Sequence, residues 1–350
     1  MGTMTDREKF ATHELAIVLS HYDIGAIESI KEFPRGSRKS PKLLIRTDRG
    51  EFLLKRRARG KDDPRKVDFC HALQRYLAQK QFPLPHLIGT RKDNHSMLQL
   101  PGHIYELFEY IRGVGFDNSP EAAFDAGRIL ALYHKLLRDY APPHAPPAGS
   151  YHNSRYLESS LDQIPETFLR GPQAQKTDPQ QVAHTLEDLR ITYTDAAARV
   201  NRLGLPNWPL QIVHCDWHPG NMLFRNQRVV AVIDYDAARI QQRVIDLANG
   251  VMQFSIIGGG EDPDTWPDHL DESRFQRFLR GYDAVHLIST AELRAVPWLM
   301  IEAMVVESVF HIAATGSFGH IEGFGFLKMI ERKVQWIVQN MDRLVELARP

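Results

Sequence analysis

Two cysteines among 350 residues, Cys70 and Cys215, are too few and too far apart for a disulfide-stapled fold or a cysteine-based metal centre. A reducing compartment is the expectation, and with it a cytoplasmic location. An excess of one charge is also lacking, since 43 Lys and Arg balance 43 Asp and Glu. That argues against a dedicated nucleic-acid binder, which would carry a basic surplus. No long apolar run is free of charge: Val296 to Ile312 is interrupted by Glu302, Glu307 and His311. It reads as a buried helix, and no membrane partner is expected. The opening residues MGTMTDREKF contain no apolar core of signal-peptide length, so no export signal is expected. Asp6 stands where a myristoylation signal after Gly2 wants Ser or Thr. What remains is a chain of ordinary globular composition, long enough for one large or two medium domains.

Hydrophobic periodicity divides that chain. Residues 15 to 110 read as short strands around one helix. Leu43 to Arg46 and Phe52 to Lys55 are apolar runs of strand length, joined by Thr47-Asp48-Arg49-Gly50, which has hairpin chemistry. Asp63 before Pro64 predicts a helix start, running to about Lys80. Strands follow near Met97 to Leu100 and His103 to Glu109. From Ser119-Pro120-Glu121 the period becomes helical, with Ala123, Ala126, Leu130, Tyr133 and Leu137 at three- and four-residue steps. Strand character returns at Leu210 to His214, Met222 to Phe224 and Val229 to Ile233, and helix follows to the end. A strand-rich first third and a helical remainder predict an α+β molecule of two lobes around a cleft. The smaller lobe, 1–108, would hold an antiparallel sheet and one helix; the larger, 109–350, would be mostly helical.

The chemistry concentrates in Ile212-Val213-His214-Cys215-Asp216-Trp217-His218-Pro219-Gly220-Asn221 and in Val232-Ile233-Asp234-Tyr235-Asp236. Phosphoryl transfer needs a group to orient the attacking hydroxyl and oxygen ligands for magnesium. A carboxylate serves the first need; an amide oxygen and a second carboxylate serve the other, because magnesium prefers hard oxygen donors. Asp216, Asn221 and Asp234 supply that set, with Asp216 and Asn221 spaced as in a kinase catalytic loop. Asp and Asn beside Pro-Gly are commonly just turn residues. The accompanying His214 and the second aspartate ending an apolar strand favour the functional reading.

These two segments resemble the signature of the aminoglycoside phosphotransferase and choline kinase family, H-G-D-x-H-x-x-N followed by I-D-W or I-D-F. The likeness runs from about Ile24 to Val338, and the order of features is nearest to type II homoserine kinase and spore-coat kinase-like members. Phe278-Leu279-Arg280-Gly281-Tyr282-Asp283 and the stretch from Glu292 to Pro297 are similar to their C-terminal helices. The resemblance implies a bilobal protein-kinase-like fold, ATP and Mg as cofactors, and transfer of the γ-phosphoryl group to a hydroxyl of a small-molecule substrate. It implies Asp216 as the catalytic base, Asn221 and Asp234 as magnesium ligands, His214 bracing the catalytic loop and Asp246 anchoring it. Lys55 would hold the nucleotide phosphates beneath the loop Pro34 to Ser40, where Gly36 and Ser37 would contact them. Phe108, Glu109 and Ile111 would form the hinge around adenine. Asp236 would either assist the metal or cap the next turn.

One departure stands out. Kinases pair the phosphate-binding lysine with a glutamate on the first-lobe helix, yet between Pro64 and Lys80 the only acid is Asp68. Either Asp68 reaches Lys55, or His71 takes the glutamate's place and the pair is absent. The rival reading is therefore a nucleotide-binding pseudokinase or regulatory module. A protein kinase is disfavoured, because D-F-G and A-P-E are missing and only Tyr235 to Arg243 separates Asp234 from the next helix. The basic run from Lys55 to Lys66 reads as a solvated face near the cleft. The acceptor is expected near Trp298, Tyr282 and Gly258 to Gly260. Glu261, Asp262, Asp264, Asp268, Asp271 and Glu272 either attract a cationic acceptor or form a solvated loop. Monomer and homodimer both stay open.

Overall fold

The computed structural model describes residues 7–170, 178–260 and 262–349. Gly2, Asp6 and Glu261, which entered the sequence reading, lie outside them. A helix absent from that reading comes first: α1 (Thr12–Ser20), whose Val18 is buried beneath the sheet. The sheet follows as β1 (Ile27–Glu32), β2 (Lys42–Thr47), β3 (Gly50–Arg56), then α2 (Pro64–Gln79), β4 (Leu98–Leu100) and β5 (His103–Glu109). Strand order is β1-β2-β3-β5-β4, every neighbouring pair antiparallel. The hairpin joint falls as expected, with Thr47 opposite Gly50 and Gly50 at φ 142°. Asp63 caps α2 by accepting from the Arg65 N–H, with Pro64 in the first turn.

The larger lobe opens with α3 (Pro120–Leu137), capped by Ser119, followed by α4 (Leu157–Arg170) and α5 (Pro179–Arg202). Two small hairpin-like pairs then carry the chemistry: β6 (Leu210–Val213) pairs with β9 (Arg239–Gln242), and β7 (Met222–Arg225) with β8 (Arg228–Val232). Strand β9 has no counterpart in the sequence reading. The chain finishes as α6 (Arg243–Ser255), α7 (Glu272–Asp283), α8 (Thr290–Thr315), the short strands β10 (Ser317–Phe318) and β11 (Ile321–Glu322), then α9 (Gly323–Gln339) and α10 (Met341–Leu347). Helix α8 is long and apolar enough to cross a membrane by length and composition. It lies instead at the centre of the lobe, against α4, α5, α6 and α9, with Leu299, Ile301, Val305 and Val309 fully buried.

Two glycines set the crossing that matters most for the site. A Cβ on Gly127 of α3 would sit 2.0 Å from the Phe278 carbonyl oxygen, and one on Gly281 of α7 would sit 2.0 Å from that of Phe124. Only glycine permits this backbone approach, which places α7 directly against α3. The apolar side of α2, with Phe69, Leu73 and Leu77, joins the large helical core, while Val18, Ile45, Leu54 and Leu107 form a separate core around the sheet. Val67 of the same helix packs on Met97 and Ile104 of the sheet lobe, so the helix touches both sides of the cleft.

Candidate active site

Strand β6 ends at Val213 and runs straight into His214 and Asp216; strand β8 ends at Val232 and runs into Asp234. The two loops are stitched together, the Ile233 N–H donating to the Asn221 carbonyl at 2.9 Å. Both turn sharply, with Cys215 at φ 63° and Asp234 at φ 64°, left-handed conformations uncommon outside glycine. The Asn221 side chain fixes its own orientation: Nδ2 donates to the Asp216 carbonyl at 3.0 Å and to Asp216 Oδ2 at 2.8 Å. Its Oδ1 is left without a donor. The Asp234 carboxylate likewise has no hydrogen bond or ion pair among the described residues, though it lines the cleft beside Asn221.

Asp246, in the first turn of α6, anchors the first loop. Its Oδ2 accepts from the His214 N–H at 2.8 Å and its Oδ1 from the Cys215 N–H at 2.9 Å. Burial would raise this carboxyl, but the bond to His134 and the surrounding donors hold it below its ordinary value. His134, which the sequence reading did not single out, lies between Asp246 Oδ2 at 3.1 Å and the Tyr282 hydroxyl at 2.7 Å. Burial depresses the His134 pKa, so the ring is neutral. Its Nε2–H then donates to the carboxylate, and Nδ1 accepts from Tyr282. The relay explains why α7 must press so closely on α3. His214 braces by packing instead: its fully buried ring meets Trp217 edge-on at 5.3 Å and Tyr235 at 5.1 Å, and neither ring nitrogen has a partner.

Across the cleft, Lys55 on β3 faces Glu106 on β5, its cross-strand partner, at 3.4 Å. Asp68 is not involved; it lines a separate surface hollow with Arg75 and Tyr76. The expectation that Asp68 pairs with Lys55, or else that the pair is absent, is therefore corrected. The glutamate comes from a strand. His71 does occupy the inward position on α2, and its Nε2 lies 2.7 Å from Glu106 Oε1, with Ser96 Oγ at 2.9 Å from Nδ1. Arg57 Nη2 completes the set, donating at 2.8 Å both to Glu106 Oε1 and to Asp236 Oδ1. Burial alone would raise the Glu106 carboxyl, but Lys55, His71 and Arg57 together hold it well below the usual carboxylate range. Asp236 is tied into this network, its Oδ1 paired with Arg57 and its Oδ2 3.9 Å from Lys55.

The same cations revise the reading of the basic run. Arg56 and Arg57 are only 8% and 5% exposed, and Arg56 is paired to Glu8 at 2.9 Å and Glu14 at 2.7 Å. The solvated face reduces to residues such as Arg59 and Lys61. The loop over the cleft is tethered from outside by Arg7, which donates to the carbonyls of Pro34, Gly36 and Ser37. Gly36 reaches the cleft with Lys42, a cation the sequence reading passed over; Ser37 does not, its hydroxyl accepting from the Lys39 N–H at 3.3 Å. Phe108, Glu109 and Ile111 all line the far end. The Glu109 N–H is bonded to the His86 carbonyl at 2.9 Å, whereas the Ile111 N–H has no partner among the described residues.

The acceptor side differs from expectation more sharply. Tyr282 is buried against His134, and Trp298 lies under the Arg199 guanidinium at 4.6 Å. Gly258 packs on Trp266. The described acids are spent within the fold. Asp262 and Asp271 cap short helical segments, and Asp264 and Asp268 pair with Arg332. Glu272 pairs with Arg343. A distinct cavity opens where the Asp216 loop meets α8, walled by Tyr151, Cys215, Arg239, Asn249, Glu307 and Phe310. None of these but Cys215 lies in a motif, and the sole earlier signal was Glu307 as a charge inside an apolar run.

Comparison with known proteins accords with this geometry. Residues 29–293 match the model of the Phosphotransferase enzyme family (APH). A homoserine kinase of Acidiphilium cryptum is 26% identical over 291 residues, covering 81% of each chain. The aminoglycoside phosphotransferase of Alicyclobacillus acidocaldarius superposes with a TM-score of 0.66 at 16% identity, over 99% of both chains. Choline kinase of Cryptosporidium parvum superposes at 0.62 with 12% identity, over 96% of this chain and 97% of that one. At such identities the two solved structures speak for the fold, which is protein-kinase-like.

Proposed function

The chain belongs to the phosphotransferase enzyme family, and on that premise we propose a direct transfer of the ATP γ-phosphoryl group to a small-molecule hydroxyl with Asp216 as base. One observation carries the reading: Asn221, Asp234 and Lys55 line one cleft, Asp216 is bonded to Asn221 at its edge, and the Asp234 carboxylate and Asn221 Oδ1 have no donor among the described residues. Two oxygens without partners suit magnesium, which keeps much of its shell for phosphate oxygens and water. When bound there, the ion would neutralise phosphate charge. Lys55, fixed by Glu106 and Asp236, would hold the phosphates beneath Gly36 and Lys42. The unpartnered Ile111 N–H would donate to adenine, with Phe108 behind it.

In the proposed reaction the acceptor O–H gives its proton to Asp216 as the new O–P bond forms. The bond between the γ-phosphorus and the β,γ-bridging oxygen breaks, and ADP leaves. Little covalent chemistry falls to the protein, which positions the reactants and balances charge. The pseudokinase alternative drew on the missing helix glutamate and on the glycine-poor loop Pro34 to Ser40, and Glu106 opposite Lys55 answers the first of these. Similarity to homoserine kinases makes homoserine the first acceptor to try, ahead of choline and aminoglycosides. ADP release with magnesium and ATP, run on the wild type and Asp216→Asn in parallel, tests the reading. A signal that disappears in the variant supports it; an undiminished signal removes Asp216 from the base role.

A further inference from the structure

The cavity beside Asp216 holds two charged groups of opposite sign that the protein leaves unmatched. Glu307, on α8, accepts from Asn249 Nδ2 and from Gln253 Nε2, both neutral donors, the latter at 2.8 Å. No cation approaches it among the described residues. Arg239, on β9, spends Nε on the Ala237 carbonyl at 2.9 Å and has no carboxylate partner among the described residues. Both line the same cavity, which measures about 210 Å³, below the range of roughly 300–1,000 Å³ typical of drug-sized ligands. Cys215, adjacent to Asp216 in the chain, forms part of its wall.

We propose that Glu307 and Arg239 form a two-point clamp for a zwitterionic acceptor, Glu307 taking its ammonium and Arg239 its carboxylate, so that a hydroxyl at the end of a short aliphatic arm meets Asp216. The inference rests on the phosphotransferase reading above and names the acceptor class: a small hydroxy amino acid. A half-buried carboxylate held only by amides is poorly compensated, and a ligand ammonium supplies the missing charge. Burial and the nearby Asp216 carboxylate accordingly push the Glu307 pKa up to about 7. A guanidinium gives planar recognition of a carboxylate, which an amine-only or polyhydroxy ligand does not use. A cavity of this size suits a small acceptor better than a multi-ring sugar.

Calorimetric titration of the full chain, loaded with magnesium and a non-hydrolysable ATP analogue, tests the clamp without relying on turnover. Three probes serve: L-homoserine with both charges, aminopropanol without the carboxylate, and γ-hydroxybutyrate without the ammonium. L-homoserine should bind tightest. Glu307→Gln should weaken homoserine and aminopropanol roughly 10- to 100-fold and γ-hydroxybutyrate far less, the size of one lost charge-assisted contact. Arg239→Gln should show the opposite selectivity, and Glu307→Asp should recover part of the ammonium preference. Binding of the nucleotide analogue reports that each variant is folded. Equal weakening of all three probes by Glu307→Gln, or wild-type preference for γ-hydroxybutyrate, overturns the clamp even if some other alcohol is phosphorylated. The expected selectivity without any ADP release upholds the clamp and overturns the kinase reading alone.

Discussion

The two sides of the cleft treat charge in opposite ways. On the nucleotide side Lys55, Arg57, Glu106 and Asp236 are cross-linked to one another, and His71 holds Glu106 from behind. On the side proposed for the acceptor Glu307 and Arg239 share a cavity, each without an ionic partner among the described residues. A network satisfied from within keeps its geometry whether or not a ligand is present, which suits positioning phosphates for in-line transfer. An unmatched pair gains most when a ligand of complementary charge arrives, which suits selection. On the proposal above, fixed geometry and recognition thus fall to two separate charge clusters.

The sharpest way to break this comparison lies between the two sides. Asp216→Asn should lower turnover by about 10²–10⁴-fold, the usual size for a positioned general base, while ATP affinity stays put; parallel turnover and nucleotide-binding measurements decide. Next comes the cross-linked side. Glu106→Ala strands two buried cations and should cost about 3–5 kcal/mol, seen as a lower urea midpoint with an unchanged slope. A loss under about 1 kcal/mol would mean that the network is dispensable and the contrast between the sides is false.

On the unmatched side the effect should depend on pH. Glu307 has its carboxyl raised from 4.5 to about 7, so its ionised form is the disfavoured one in the fold. Its contribution to stability is therefore fully present below 4.5 and is lost as pH rises through 7. Affinity for an ammonium-bearing acceptor should run the other way. It should increase up to about tenfold per unit on approaching pH 7 and then level off, and the trend should vanish in Glu307→Gln. A flat profile in the wild type would place the ammonium elsewhere. The smallest effect belongs to Asp68→Ala, which should stay within about 0.5 kcal/mol and leave the KM for ATP unchanged. A marked rise in that KM would reinstate Asp68 as a functional partner.

What could be read from the chain beforehand follows the range of the interaction. Asp216, Asn221 and Asp234 are set by short loops between short strands, so their spacing alone carried meaning. Asp63 and Ser119 marked helix starts because capping is local. Glu106 was hidden because its role depends on which residue of β5 falls opposite Lys55, a register that no local pattern states. A single acid between Tyr105 and Leu107, both buried, was the available hint. His134 and Tyr282 meet only because Gly127 and Gly281 let two distant helices touch. Glu307 was visible merely as an interruption of a hydrophobic run, since nothing in the run says which side of α8 meets the cavity.

Cys215 has a further bearing on acceptor choice. The family signature places glycine here, and the residue does adopt a glycine-like backbone, with φ at 63°. This chain therefore tolerates strain on the order of 1 kcal/mol to place a mercaptomethyl side chain in the cavity wall. Burial pushes that thiol's pKa up, which disfavours the thiolate a nucleophile would need. Its bulk is what remains: one side chain in the wall of the cavity that Glu307 and Arg239 share. Cutting it back to glycine would ease the turn and lengthen the molecules that fit.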